Sequence, residues 1–321
     1  MSGDGNTDFI GINWGSSNCR AWLLRGTGQD EGEVLEAWSE PAGIAGLDRA
    51  GMQALVEGLR QRWPSASRLY ACGMVGSNIG WQEVPYAQCP IGLDGLAAGL
   101  QATRIGQAQM AIVPGLACRR ADGAPDIMRG EETELFGLLR AGRLPRDGVV
   151  ALPGTHTKWV RLREGQVVEF VTAMSGEVFD RLTAAGLLAS IVGAPAQPGP
   201  AFAAGLAQGR TARPGLGTLL FGARARVIRG DLARDDAASY LRGLLIGSEI
   251  ADALALYPEA AKAPVTLVGA GPVCEMYAAA LAGLGIGSRT VDAREASVFG
   301  FRALHAAAMA ATDASAGLVA G

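Results

Sequence analysis

The chain has 321 residues, of which 49% are hydrophobic and 18% charged, with a formal net charge of −3. That length suits two lobes of ordinary domain size, the composition excludes a largely disordered body, and the near-balanced charge gives no general attraction to nucleic acid or anionic lipid. Cys19, Cys72, Cys89, Cys118 and Cys274 are odd in number and contain no CxxC pair, which argues against a disulfide framework or a zinc site and for a reducing compartment. Met1 to Asp8 lacks the basic region and apolar stretch of a signal peptide, and no run reaches about 18 unbroken apolar residues, so a cytoplasmic protein without membrane contact is expected.

The first organised stretch runs from Phe9 to Trp38. Ile10, Ile12 and Trp14 alternate as a strand does, Gly15 permits a backbone conformation closed to other residues, and Ser16, Ser17 and Asn18 offer donors of the kind a phosphate needs. Arg20 to Leu24 alternates again, a polar glycine-containing loop follows, and Gly32 to Trp38 reads as a third strand. Leu47 to Trp63 carries a helical stripe at Met52, Leu55, Val56, Leu59 and Trp63, ended by Pro64. Arg68 to Cys72 is a short strand entering Gly73-Met74-Val75-Gly76-Ser77-Asn78-Ile79-Gly80-Trp81, whose glycines suit a loop that lets a ligand approach the backbone. Gln109 to Val113 is a further strand. The polar segment Arg119 to Pro125 marks the expected boundary between a first lobe over 1–122 and a second over 123–321.

Beyond it, Leu135, Leu138 and Leu139 form a helical stripe behind Arg129, Glu131, Glu132 and Glu134. Carboxylates in a first turn favour the helix dipole, while Glu131 and Glu132, adjacent and next to Arg129, are also candidates for a base acting on a hydroxyl; the residues alone leave both readings open. Gly148 to Leu152 then leads into Pro153-Gly154-Thr155-His156-Thr157-Lys158, with returning strands at Trp159 to Leu162 and Gln166 to Val171. Strand, glycine-and-hydroxyl turn, strand, turn, strand thus occurs twice, pointing either to a duplication with two phosphate-binding hairpins facing each other or to two ordinary β-turns. Thr172 to Phe179 enters a helix with Glu177 in its first turn, Gly193 to Pro200 is a surface loop, and Ala237 to Tyr257 is a long helix buried on its Tyr240, Leu241, Leu244, Leu245 and Leu256 side. Val265 to Val268 is a buried strand, and Gly269, Ala270 and Gly271 open the helix Val273 to Leu281, a turn able to lie against a nucleotide. No GxxxxGK[ST] loop exists. A last helix, Ala296 to Ala311, is expected to return to the first lobe, with Thr312 to Gly321 frayed. His156 and His305 are isolated and make no zinc site. Strands alternating with helices give an α/β architecture.

Two phosphate hairpins separated by a carboxylate-bearing helix and followed by strand-Gly-Ala-Gly-helix resemble the actin, hexokinase and heat-shock chaperone ATPase superfamily. The motifs are more specific still: Ile10 to Leu23, Gly73 to Tyr86, Pro114 to Leu116, Ile127 to Thr133, Pro153 to Val160, Thr172 to Glu177 and Gly243 to Glu249 resemble, in order, those of the 2-dehydro-3-deoxygalactonokinase family. The resemblance implies a two-lobed actin-like ATPase (ribonuclease-H-like) fold with mixed sheets flanked by helices. It implies transfer of the ATP γ-phosphoryl group, with Mg²⁺, to the 6-hydroxyl of a 2-keto-3-deoxy sugar acid.

Under that resemblance Gly15, Ser16, Ser17 and Asn18, the turn Gly154 to Lys158, and the adenosine motif Gly269 to Gly271 would hold ATP. Gly73, Met74, Val75, Gly76, Ser77, Trp81, Arg129 and Glu177 would line the sugar-acid site, with Arg20 or Arg129 as the fork-shaped cation for its carboxylate, though either arginine could be a structural ion-pair partner. Glu131 or Glu132 would orient or deprotonate the hydroxyl, as a Glu-Glu helix start does in the related exopolyphosphatases, with Glu177 or Asp126 next in line. One position departs from the pattern: Asn13 stands where the first phosphate motif has Asp against the hydrated metal ion. An amide carries no charge, so Asn13 implies a weakened outer-sphere metal contact, and Asn13→Asp would be expected to restore rate at limiting Mg²⁺. The departure keeps two alternatives in view, a nucleotide or sugar-acid sensor and an exopolyphosphatase-like phosphatase.

Overall fold

The structure is a computed structural model that describes residues 7–26, 33–211 and 213–319. Most of the polar N-terminus, the loop expected after Leu24 together with Gly32, and the last residues of the expected frayed tail lie outside the described residues. The chain forms two compact units, one of Met1–Arg146, Arg163–Glu169 and Ala293–Gly321, the other of Asp147–Leu162 and Phe170–Asp292.

In the first unit β1 (Thr7–Trp14), β2 (Cys19–Gly26) and β3 (Val34–Glu40) pair antiparallel in sequence. Phe9, Ile10, Ile12 and Trp14 are all buried, because β1 is a central strand covered on both faces. One cover is α1 (Arg49–Arg62), whose Met52, Val56 and Leu59 pack among Ile10, Ile12 and Trp14. Asp48 caps this helix by accepting the Gly51 N–H at 2.8 Å. The chain continues through β4 (Arg68–Gly73), parallel to β1, then β5 (Ala87–Gln88), α2 (Leu93–Ala98), β6 (Gln101–Ile105) and β7 (Ala108–Ile112), the last parallel to β4. The six-stranded order is β3-β2-β1-β4-β7-β6. A small sheet adds β8 (Leu116–Arg119) and β9 (Pro125–Met128) to β5, and α3 (Glu131–Arg140) follows.

The expected divide at 122/123 falls inside this unit. Arg119 to Pro125 is the turn of the β8–β9 hairpin, where the Arg120 N–H donates to Ala124 O and the Arg120 guanidinium pairs with Asp122 at 3.0 Å and Asp126 at 3.5 Å. Its polarity serves an exposed turn, and the divide in the fold comes at 146/147.

The second unit is built on β10 (Gly148–Leu152), β11 (Thr157–Arg163) and β12 (Gln166–Ala173), followed by α4 (Ser175–Ala184), α5 (Pro200–Gly209), α6 (Leu216–Arg229), α7 (Arg234–Leu256), β13 (Val265–Gly269), α8 (Gly271–Ala282) and β14 (Ser288–Asp292). Its sheet order, β12-β11-β10-β13-β14, reproduces β3-β2-β1-β4-β7, including the antiparallel first hairpin and the parallel later strands. The repeat read in the sequence is therefore a repeat of topology. The core of this unit gathers Trp159, Ile246, Ile250, Tyr257, Leu267 and Tyr277.

The final helix α9 (Ala293–Val319) belongs with the first unit. It is longer than expected at both ends and takes in Thr312 to Val319, where fraying was expected; alanine-rich sequence propagates a helix once it is started. It crosses α3 at backbone contact: a Cβ on Gly300 would lie 2.3 Å from Thr133 O, and one on Gly137 would lie 2.1 Å from Gly300 N. Glycine at the crossing is what lets a short α9 side chain, Ser297, reach the acidic start of α3.

Candidate active site

The first set of site residues stands at the carboxyl ends of parallel β1 and β4, where open α/β sheets bind ligands. The turn after β1 is held from behind: Ile44 and Ala45 donate their N–H groups to Gly15 O and Ser16 O at 3.0 and 3.1 Å. With those carbonyls engaged, the exposed Ser16, Ser17 and Asn18 present donors. Gly73, at φ 89°, closes β4 against Trp14 O, which leaves no room for a side chain.

The segment beyond Gly73 is wound tightly on itself. Val75, Gly76 and Ser77 are buried, the Ser77 hydroxyl donates to Met74 O at 2.7 Å, and Met74 and Trp81 pack against the core. Trp81 also donates to Arg104 O at 3.1 Å and lies under the Arg49 guanidinium. Of the residues expected to touch a sugar acid, Val75 and Ser77 are buried and Trp81 is half-buried, and all three help to hold the loop. What the loop frames is Arg129. Its Nη2 donates to Val84 O at 2.7 Å and its plane stacks on Tyr86 at 4.3 Å. Nε and Nη1 are buried without a hydrogen bond among the described residues, and Nη1 lies where a Cβ on Gly76 would be, at 2.7 Å.

Three carboxylates open α3. Glu132 is wholly buried and accepts the Gly130 N–H at 2.6 Å, so it caps its own helix; Glu131 is half-buried. Glu134 is buried and accepts from Ser297 Oγ at 3.0 Å and from Asn13 Nδ2 at 3.4 Å. Burial, reinforced by the neighbouring Glu131, pushes Glu132 and Glu134 up to about 8, with Arg129 opposing the rise at Glu132 and Arg20 at Glu134. Arg20, paired across the strands with Asn13, thus acts on Glu134.

In the second unit the turn after β10 repeats the first turn's device. Gly154 O accepts from Thr157 Oγ1 at 3.4 Å, Thr155 O from the Glu177 N–H at 2.9 Å, and His156 O from Lys158 Nζ at 2.9 Å. Each carbonyl that would repel a phosphate is engaged. The start of α4 abuts the turn so closely that a Cβ on Gly176 would fall 2.3 Å from Gly154 O. Gly269 ends β13 beside Pro153, and Ala270 caps α8, which begins at Gly271.

Thr157 and Lys158 are buried and support the turn rather than facing outward. Glu177, expected at the sugar acid, is held by His156 Nε2 at 2.6 Å and Arg181 at 3.7 Å; the His156 hydrogen bond, with Arg181 adding to it, keeps its carboxyl below the usual range. Sequence reasoning assigned no role to Glu249, Ser175 or Tyr277. Glu249 is buried and accepts from Trp159 Nε1 at 2.8 Å, from the Ser175 hydroxyl, and from Tyr277 at 2.9 and 2.8 Å. Tyr277 also meets Thr157 Oγ1 at 2.9 Å. Tyr277 thus links the buried Glu249 to the Thr157 hydroxyl, which also meets the Gly154 backbone, so the chain of hydrogen bonds ends on the turn. The available signal was a carboxylate on the apolar face that carries Leu245, Ile246 and Ile250. Among the described residues no group of three His, Cys, Asp or Glu is arranged to hold a metal ion, and no helix is long and apolar enough to cross a membrane.

The fold is shared with the activator of 2-hydroxyisocaproyl-CoA dehydratase from Clostridium difficile, solved with bound ADPNP, at a TM-score of 0.50 and 11% identity over 96% of this chain and 97% of that one. Repeated sheets with glycine turns at the ends of parallel strands give the chain the actin-like ATPase fold. The family model described as 2-keto-3-deoxy-galactonokinase matches residues 13–304, and the chain belongs to that family of kinases. A Rhizobium meliloti (strain 1021) protein assigned as a 2-dehydro-3-deoxygalactonokinase is 36% identical over 300 residues, 90% of this chain and 93% of the relative. The Escherichia coli (strain K12) 2-dehydro-3-deoxygalactonokinase is 36% identical over 248 residues, 76% of this chain and 79% of its own. A Sinorhizobium meliloti crystal structure assigned to the same activity aligns with a TM-score of 0.83 and 34% identity, covering 94% and 98% of the two chains.

Proposed function

We propose that this kinase transfers the γ-phosphoryl group of ATP to the 6-hydroxyl of 2-dehydro-3-deoxy-D-galactonate, in the cytoplasm, as a step of galactonate catabolism. Mg²⁺ bound with the nucleotide would offset the charge of the β- and γ-phosphates. Taken by itself, the first unit offers Ser16, Ser17 and Asn18 as donors to phosphate oxygens; the second, taken by itself, offers the amides of Thr155 and His156, the Gly154 N–H being engaged by Thr157 Oγ1 at 3.3 Å, and Gly269 to Gly271 leave space there for an adenosine. Absence of a metal cluster built from His, Cys, Asp or Glu among the described residues fits an ion that arrives with the nucleotide and keeps most of its waters.

The observation that carries the sugar-acid reading is Arg129. Two of its buried guanidinium nitrogens have no hydrogen-bond partner among the described residues, and a carboxylate is the ligand that fits a planar fork. Glu131 accepts or orients the proton of the attacking hydroxyl, because Glu132 is enclosed and occupied by Gly130. Glu132 positions the turn that presents Glu131. The test is Arg129→Met: KM for the sugar acid should rise about 10- to 100-fold with KM for ATP unchanged, the loss of a charged hydrogen-bonding group. A rise in KM for ATP with that for the sugar acid unchanged would reverse the assignment.

A further inference from the structure

The guanidinium of Arg129 is set in place by backbone and by one ring. Its Nη2 donates to Val84 O at 2.7 Å, and the Val84 N–H in turn donates to Gly76 O at 3.0 Å, so the carbonyl that takes the guanidinium hydrogen is itself fixed. Nη1 uses the room that the missing side chain of Gly76 leaves, since a Cβ there would lie 2.7 Å from it. Tyr86 adds a face to this frame, with its ring centroid 4.3 Å from the Arg129 Cζ. The Tyr86 hydroxyl makes no hydrogen bond among the described residues, so the ring is what this side chain contributes.

The ring has a seat of its own. Tyr86 is half-buried and immediately precedes β5, whose Ala87 N–H donates to Gly115 O at 2.8 Å. A Cβ on Gly115 would lie 2.7 Å from Tyr86 Cε1 and 2.5 Å from Met128 O, so only glycine lets the ring and β9 close over this point. In the small sheet, of order β5-β8-β9, Ala87 pairs with Leu116 and Leu116 with Met128. The ring thus enters one outer strand, the cation leaves the other, and they meet beside the start of β8; this gives the motif Pro114 to Leu116 a purpose. We propose that Tyr86 is a positioning residue for the sugar-acid carboxylate: its ring, seated on Gly115, holds the Arg129 guanidinium in one plane before the substrate arrives. Ordering a long side chain at the moment of binding costs affinity, and a ring face attracts a cation without competing for its donors. This rests on the Arg129 reading above.

The experiment measures kcat, KM for 2-dehydro-3-deoxygalactonate and KM for ATP. It runs on the parent, Tyr86→Phe, Tyr86→Leu, Arg129→Met and the double variant Tyr86→Leu/Arg129→Met, with thermal unfolding as the folding control. Tyr86→Leu should raise KM for the sugar acid about 3- to 30-fold, the range that loss of a partly desolvated cation–π contact covers, with kcat and KM for ATP within about twofold of the parent. Tyr86→Phe keeps the ring and should stay within about twofold throughout. Added to Arg129→Met, Tyr86→Leu should change KM for the sugar acid by less than about twofold, because the ring then has no cation to hold.

A folded Tyr86→Leu with unchanged KM, a Tyr86→Phe loss as large as that of Tyr86→Leu, or a Tyr86→Leu effect of the same size with and without Arg129 would overturn the proposal. Should Tyr86→Leu not fold, Tyr86→Met takes its place under the same criteria. If Arg129→Met itself leaves KM for the sugar acid unchanged, the reading of Arg129 fails and takes this inference with it; if Arg129→Met raises that KM and Tyr86→Leu does not, this inference alone fails.

Discussion

The two glycine turns solve one problem by different means. Both tie back their own carbonyls, so that donors alone are left to face a phosphate. The first is tied by a neighbouring backbone segment, Ile44 and Ala45, and keeps three exposed polar side chains; the second is tied by its own side chains and by the start of α4, and it rests on the buried Glu249, Tyr277 and Thr157 chain. The carboxylates differ in the same way. Those beside the first turn crowd together at a helix start, where one of them, Glu131, is half-buried, whereas Glu249 is enclosed and satisfied by Trp159, Ser175 and Tyr277. The proposed function gives chemistry to the first arrangement and support to the second.

The sharpest way to break that division is to remove one charge from each. Glu131→Gln keeps size and should lower turnover about 10²–10⁴-fold with little change in KM, as expected of a general base. Glu132→Gln should cost less, and an equal or larger loss there would exchange the two roles. The second turn is probed by Gly154→Val. A Cβ there meets nothing within 4 Å, so the fold should keep its Tm while a side chain fills the approach of the phosphate and nucleotide affinity falls about 10²-fold or more. Isothermal titration with ATP reads the loss, and undiminished affinity in a folded variant would remove the turn from the site.

The units should also differ in their response to acid. In the first, His305 stacks on Phe9 at 4.1 Å and meets the Tyr70 hydroxyl at 3.2 Å; burial, aided by the Arg68 charge, lowers it from 6.5 to about 4. The unfolded chain takes up a proton below pH 6.5 that the folded chain refuses until about 4. The stability from neutral His305 is therefore present above 6.5 and lost as pH falls between those values, by about 3 kcal/mol. Glu132 and Glu134 titrate in the opposite sense, so the sign is read from the parent minus His305→Gln in urea unfolding at each pH. In the second unit Glu249 is raised above 4.5 by burial, and its contribution declines as pH rises. The smallest effect belongs to Tyr277→Phe. It removes one of three donors to Glu249 and the hydroxyl that meets Thr157, and should cost about 1 kcal/mol of stability with a rise in KM for ATP at nearly constant kcat. A fall in kcat alone would place Tyr277 with the chemistry instead.

The repeat was legible because it is local: alternation in Phe9 to Leu24 and again in Gly148 to Leu162 fixes strands, and the glycine and hydroxyl residues between them fix turns. Elements with weak local pattern were not legible, among them the two-residue β5, the short β8 and β9 inside a stretch taken for a linker, and the glycine- and alanine-rich α5. The sites divide likewise. Arg129 and Glu131 stand in the motif that marked them, but Glu134 is defined by Asn13, 121 positions away, and Tyr277 by Thr157, 120 positions away. Sequence spacing carries no sign of such contacts. It did carry a weaker sign, a charged residue on an apolar helix face, which Glu249 shows and which is costly enough when buried to require partners.

The most direct measurement is the stoichiometry of ADP formed to sugar acid consumed, run with 2-dehydro-3-deoxygalactonate, with its gluconate epimer, and with no sugar acid. Equimolar ADP and a 6-phosphorylated product with the galactonate compound, with no phosphate released in its absence, is the result this account requires. Phosphate release that does not depend on the sugar acid, or nucleotide binding with no turnover on either epimer, would contradict it.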